Sequence, residues 1–191
     1  IDDLYKDGLQ RDQFIPFIKI LKNNCFEKEL FINEDYCSSR NINLERYLSP
    51  INNSANFMFN KYLRVITKDK KKTTKVLEIK GRKILLENFF EGVVRFNFDE
   101  LCNRNLGSED YIEIANASDF IFLENLPDFN ENNSNQQQRF ISLIDIIYEK
   151  KIPMMITSEI ELNLIKSSKN LIEPFKRTIS RLYELTSINY N

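Results

Sequence analysis

DFIFLENLPDFNENNSNQQQRFISLIDIIYEKKIPMMITSE, residues 119–159, decides the fold class. Asp119–Glu124 is short, apolar and rich in aromatic side chains, which reads as a strand buried in a sheet. Asn130–Asn135 has no apolar side chain and forms a linker. From Gln137 to Lys150 the apolar positions Phe140, Ile144, Ile147 and Tyr148 recur at helical steps, so one face packs on a core. Ile152–Thr157 is a second buried strand with Pro153 near its start. A strand, helix and strand in this order argue for a parallel βαβ unit and an α/β fold.

Downstream, Glu173–Thr186 forms a closing helix whose apolar face is Phe175, Ile179 and Leu182. Upstream, residues 93–98 (VVRFNF) form a strand. Short helices follow at Asp99–Arg104 and from Ser108 to Ala115, with a turn at Gly107 between them. VLEIKGRKILLE, residues 76–87, reads as two short strands around a Gly81-Arg82 turn. Residues 68–75 (KDKKKTTK) form a basic loop, Tyr62–Thr67 a strand, and 40–62 a helical or irregular stretch. Near the start, Phe14, Phe17, Ile18 and Leu21 mark a helix, with Pro16 best placed in its first turn. Residues 25–32 (CFEKELFI) alternate like a strand.

The composition excludes several chemistries. The chain has 191 residues, 42% of them hydrophobic, enough for a real core. Its formal net charge is −1, so no global basic field attracts nucleic acid. No apolar run is long enough to span a bilayer, and no signal peptide opens the chain. The chain begins at Ile1 within a charged, motif-like segment, and a preceding stretch is expected. It contains no histidine, which removes Ser-His-Asp and Cys-His nucleophiles and His-ligated zinc. Cys25, Cys37 and Cys102 are odd in number and fit no metal spacing, which suits a reducing compartment. The four glycines, Gly8, Gly81, Gly92 and Gly107, each stand alone, so neither a P-loop nor G-x-G-x-x-G is present.

Four motifs invite a chemical reading, and each has a plainer one. VVRFNFDEL, residues 93–101, resembles a Walker B strand with Asp99 for Mg²⁺ and Glu100 for water, but also a strand ending in a carboxylate helix cap. Arg11 lies at the start of an amphipathic helix. It could reach the phosphates of a neighbouring subunit, or pair with Asp7 or Asp12. Arg177 and Arg181, four residues apart, share a helix face. An anion belongs beside them, either Glu173 and Glu184 on the same helix or a nucleotide phosphate. The basic loop with Lys70, Lys71 and Lys72 could touch nucleic acid or an acidic lipid surface, but no aromatic is interleaved for stacking.

The order of longer blocks resembles one family. LYKDGLQRDQFIPFI (4–18), FDELCNRNLGSEDYIEIA (98–115), DFIFLENLP (119–127), RFISLIDIIYEKKIPMMITSE (139–159) and FKRTISRLYELTS (175–187) resemble the ZapE family of AAA+ ATPases. That family includes the mitochondrial Afg-one-like (lactation-elevated) proteins. The blocks run from end to end, with a looser match over 33–90. The resemblance implies the C-terminal half of a P-loop ATPase whose P-loop, Walker B and sensor-1 strand precede LYKDGLQR. Arg11 then matches an arginine finger acting on the adjacent protomer's ATP. Arg177, with Arg181 second, matches a sensor-2 arginine. Arg139 falls in a family block without an assigned role. Asp99 and Glu100 lie after the family's true Walker B and become structural. The chain departs from the family at Gln138-Arg139, where a basic pair is usual, and at Leu185-Thr186, where Met-Gln is common.

The resulting expectation is α/β: residues 1–32 closing the AAA+ core, 33–90 a β-rich insertion, and 91–191 a βαβ unit with a terminal helix. ATP and Mg²⁺ belong to the intact protein, and this chain alone binds neither. Expected partners are its own P-loop half, other ATPase protomers and a protein substrate, with no nucleic acid. A cytoplasmic place fits, with peripheral membrane or division-site association open. The family is associated with bacterial cell division and mitochondrial protein quality control. The rival is a non-catalytic interaction module docking on ATPase partners. Sheet edges left open in the isolated chain would make it poorly soluble.

Overall fold

The computed structural model describes residues 11–24 and 46–188. The chain divides into two compact units, Ile1–Glu34 and Asp35–Asn191. In the first, helix α1 spans Arg11–Asn24. Its Ile18 is buried and Phe17 half exposed. Pro16 is the sixth helical residue rather than a first-turn residue, so the carbonyl of Asp12 loses its usual partner. The strand expected over 25–32 lies outside the described residues.

The second unit is built on one six-stranded sheet. In chain order its elements are β1 (Tyr47–Leu48), α2 (Asn53–Ile66), β2 (Thr73–Ile79), β3 (Arg82–Phe90), β4 (Val93–Asn97), α3 (Phe98–Cys102), α4 (Ser108–Asn116), β5 (Phe120–Leu126), α5 (Ser134–Glu149), β6 (Met154–Ser158) and α6 (Ile172–Leu185). The sheet order is β1-β6-β5-β4-β3-β2. The four strands β1, β6, β5 and β4 are mutually parallel, and β3 and β2 add an antiparallel hairpin. The β5–α5–β6 unit expected from 119–159 is present, and the chain is α/β.

Strand β1 comes first in the chain yet lies beyond β6. The path from β1 to β4 therefore crosses two strands in one direction, and the steps from β4 to β6 return in the other. Side-chain alternation shows the two faces. On one face Phe59 and Leu63 of α2 pack with Val93, Phe120, Phe122 and Met155. On the other, α4, α5 and α6 cover Val94, Phe96, Ile121, Leu123, Met154 and Ile156. Helices thus sit on both faces, and strand order reverses between β1 and β6, as in doubly wound sheets.

The Tyr62–Thr67 strand is corrected: this stretch forms the last turns of α2 and its cap. Ala55, Phe59 and Leu63 are its buried positions, four apart, while Arg64 and Val65 are exposed. The period of 3.6 outweighs the β-branched bias of Val65, Ile66 and Thr67. Asn52 caps the helix by accepting the Ala55 N–H at 2.8 Å. Over its described part the 33–90 stretch thus holds a 14-residue helix as well as strands, and those strands share the sheet.

Both hairpin turns use paired positive φ values. Lys80 and Gly81 have φ of 47° and 79°, so the first turn is Lys80-Gly81 and Arg82 already belongs to β3. Glu91 and Gly92 have φ of 45° and 92°. Gly92 is further constrained: its carbonyl accepts the Asp119 N–H at 2.7 Å, and a Cβ there would collide with the Asp119 carboxylate. Gly92→Ala is expected to destabilise by about 1–3 kcal/mol through strain and crowding. Gly81→Ala, with open space around it, is expected to lose only about 1 kcal/mol. Urea unfolding of the two variants measures the difference.

Candidate functional site

Arg11 is the first residue of α1, and its side chain lies outside the described residues. Arg177 and Arg181 project from α6 toward α5. Their anion is Asp145, from the facing helix: Arg177 Nη2 donates to Asp145 Oδ2 at 2.9 Å, and Arg181 Nη1 donates to Asp145 Oδ1. This corrects the intrahelical pairing. Glu173 instead pairs with Lys176 at 2.7 Å, and Glu184 accepts the Tyr148 hydroxyl at 2.8 Å. One carboxylate bridging two guanidinium groups relieves their mutual repulsion and ties α5 to α6.

The two arginines differ in setting. Arg181 is 19% exposed and lies 4.8 Å over the Tyr148 ring, whereas Arg177 is 59% exposed. Arg181 has cation–π and packing contacts to lose, whereas Arg177 has a screened surface pair. Arg181→Ala is therefore expected to cost about 1–2 kcal/mol, from a half-buried ion pair and ring contact. Arg177→Ala is expected to stay within about 0.5 kcal/mol. Thermal melts of both variants test the order.

Asp99 and Glu100 are structural. Glu100 Oε2 accepts the Asn97 N–H at 2.6 Å, and Asn97 Oδ1 accepts the Asp99 N–H at 3.2 Å. These bonds form a capping box at the start of α3. Arg139, left without a role by its sequence, donates to the Cys102 carbonyl at 3.1 Å and fastens α5 to the end of α3. Burial pushes the Cys102 thiol far up, so it is no nucleophile at neutral pH.

One polar group went unnoticed in the sequence. Arg95 of β4 and Glu124 of β5 form a two-pronged pair with distances of 2.6 and 2.7 Å. Glu124 raises the Arg95 pKa, holding the guanidinium charged. Arg95 also lies 5.6 Å over the Phe59 ring of α2. A charged residue inside VVRFNF was the available signal. Its partner depends on sheet register, which places Asn97 beside Glu124 and Arg95 beside Phe122.

None of the described glycines forms a phosphate cradle. Gly81 and Gly92 lie in hairpin turns, and the Gly107 N–H is already donated to Asp110 Oδ2 at 2.8 Å, where a carboxylate would repel phosphate. No group of three or more potential metal ligands occurs among the described residues. None of the described helices is long and apolar enough to cross a membrane.

Comparison with known proteins decides the family. The model of the AFG1-like ATPases matches residues 1–191. The chain belongs to the AFG1-like ATPase family. Cell division protein ZapE of Escherichia coli K12 is 26% identical over 189 residues, covering 99% of this chain and 50% of that protein. Lactation elevated protein 1 homolog B of Danio rerio is 27% identical over 226 residues, covering 99% and 44%. An uncharacterised Schizosaccharomyces pombe protein is 28% identical over 160 residues, covering 83% and 35%. The chain spans about half the length of the E. coli and D. rerio relatives. No solved structure matches. In this AFG1-like chain the blocks from Phe98 onward belong to the doubly wound second unit, where Arg139 and Glu100 join neighbouring elements.

Proposed function

We propose that these residues are the C-terminal half of a ZapE-like AAA+ ATPase and supply an arginine, Arg11, to the ATP held by a neighbouring copy. The observation that carries this reading is the family match over all 191 residues of a chain with no P-loop sequence. ATP is the substrate of the intact protein, and Mg²⁺ belongs with the phosphates, outside the described residues. Arg11 opens a helix of 14 residues, a rigid mount for a side chain that must reach across a subunit boundary. Arg177 is the better placed of the α6 pair for a nucleotide, since its guanidinium is the more exposed. One relative is named a cell division protein, and work on a protein substrate in division or quality control, in the cytoplasm, is part of the same reading.

A second reading, a non-catalytic module docking on ATPase partners, is favoured by Asp145 already engaging both Arg177 and Arg181. A mixing experiment separates the two. An Arg11→Ala copy of the intact protein is combined with a copy whose P-loop lysine is replaced. Turnover above the sum of the separate copies supports a finger acting in trans, because each copy then supplies what the other lacks. Wild-type turnover by the Arg11→Ala copy alone supports the docking module.

A further inference from the structure

We propose that the outward face of α2 and the loop after it dock the protein on an anionic lipid surface. This goes beyond nucleotide hydrolysis and does not depend on it. Helix α2 buries Ala55, Phe59 and Leu63 against the sheet. Its opposite side carries Phe57, Lys61, Arg64 and Val65, at the i, i+4, i+7 and i+8 positions of one face, and Lys68 follows in the turn just beyond its end. These residues and Asn60 line one shallow depression, so they are contiguous in space. Phe57 and Val65 are each 65% exposed, on the side of the helix that faces away from its buried positions.

The charge of the face is as uneven as its polarity. Over residues 61–72 six cations stand against Asp69 alone, in a chain whose formal net charge is −1. Lys61, Arg64 and Lys68 make no ion pair with a described residue. The loop is held rather than loose. Lys70 Nζ donates to the Glu91 carbonyl at 3.0 Å, and the Lys71 N–H donates to Glu91 Oε1 at 3.3 Å. The carbonyl is a neutral acceptor and leaves the Lys70 charge in place.

Apolar crests ringed by lysine and arginine match the boundary between headgroups and acyl chains, where Phe and Val enter the apolar layer and the cations meet anionic headgroups. A nucleic acid would satisfy the cations but offers the exposed Val65 no apolar phase. An acidic protein helix would also satisfy the cations, and its capture is one outcome of the test below.

The test is sedimentation of the intact protein with phosphatidylcholine vesicles containing about 30% phosphatidylserine, against phosphatidylcholine alone. Binding to the anionic vesicles only, weakening as salt rises, is the expected result. Joint replacement by Lys61→Glu, Arg64→Glu and Lys68→Glu is expected to lower partitioning by roughly 100-fold or more. Phe57→Ser, an exposed change that leaves the core intact, is expected to lower it by about tenfold. Equal binding to both vesicle types, wild-type binding by the triple variant, or no vesicle binding would overturn the proposal. Absence of vesicle binding together with capture of an Asp/Glu-rich amphipathic peptide would assign the face to a protein partner instead.

Discussion

Replacing Arg11 by alanine in the intact protein is expected to lower ATP turnover by about 10³–10⁵-fold while ATP still binds. A guanidinium supplied across a subunit boundary acts on charge that builds on the transferring phosphoryl group. Its contribution therefore falls on the rate and hardly on ground-state affinity. Arg11→Lys is expected to recover little, because a point-charge ammonium cannot reproduce the planar donor fork. The measurement is steady-state turnover beside equilibrium binding of a fluorescent ATP analogue. Turnover unchanged in Arg11→Ala removes Arg11 from the chemistry. Loss of binding in parallel with turnover would make Arg11 a holding or folding residue instead.

The largest stability effect is expected at Phe122. Its side chain is fully buried on the α2 face of the sheet. The ring meets Phe59 edge-on at a centroid distance of 5.1 Å and Phe120 at 4.9 Å. Of the described helices of the second unit, α2 supplies the small core on this face, so few side chains can move in to fill a void. Phe122→Ala is expected to cost about 3–5 kcal/mol, from lost transfer energy plus a cavity. For a unit of this size that corresponds to a fall in melting temperature of roughly 10 °C. Phe57→Ala, on the same helix but facing outward, is expected to change stability by less than about 0.5 kcal/mol. Calorimetry on the pair distinguishes a helix that seals a core from one that merely lies on the sheet. Similar melting temperatures for both variants would contradict the two-faced packing.

Most elements of the second unit were legible from periodicity. The α5 stripe at Phe140, Ile144 and Ile147 is buried as its spacing requires, and the apolar runs of β5 and β6 lie inside a sheet covered on both faces. Tyr62–Thr67 was misread because a six-residue window holds less than two helical turns, so local β-branched bias dominated. Asp145 could not be found as the partner of Arg177 and Arg181. The sequence offered Glu173 and Glu184 at helical spacing, and only the packing of α5 against α6 brings Asp145 to both guanidinium groups. The Arg95–Glu124 pair was hidden for a similar reason, since residues 29 apart become neighbours only once register is set.

By itself, then, the sequence determined the α/β class, the βαβ order at 119–159 and membership of a nucleotide-hydrolysing family, because periodicity and long motif blocks are local properties of the chain. Only the tertiary structure decided that β1 pairs with β6, that strand order reverses between them, and that one carboxylate holds two arginines. Those are contacts between residues far apart along the chain. They depend on which faces must be buried together, which no single stretch of sequence states.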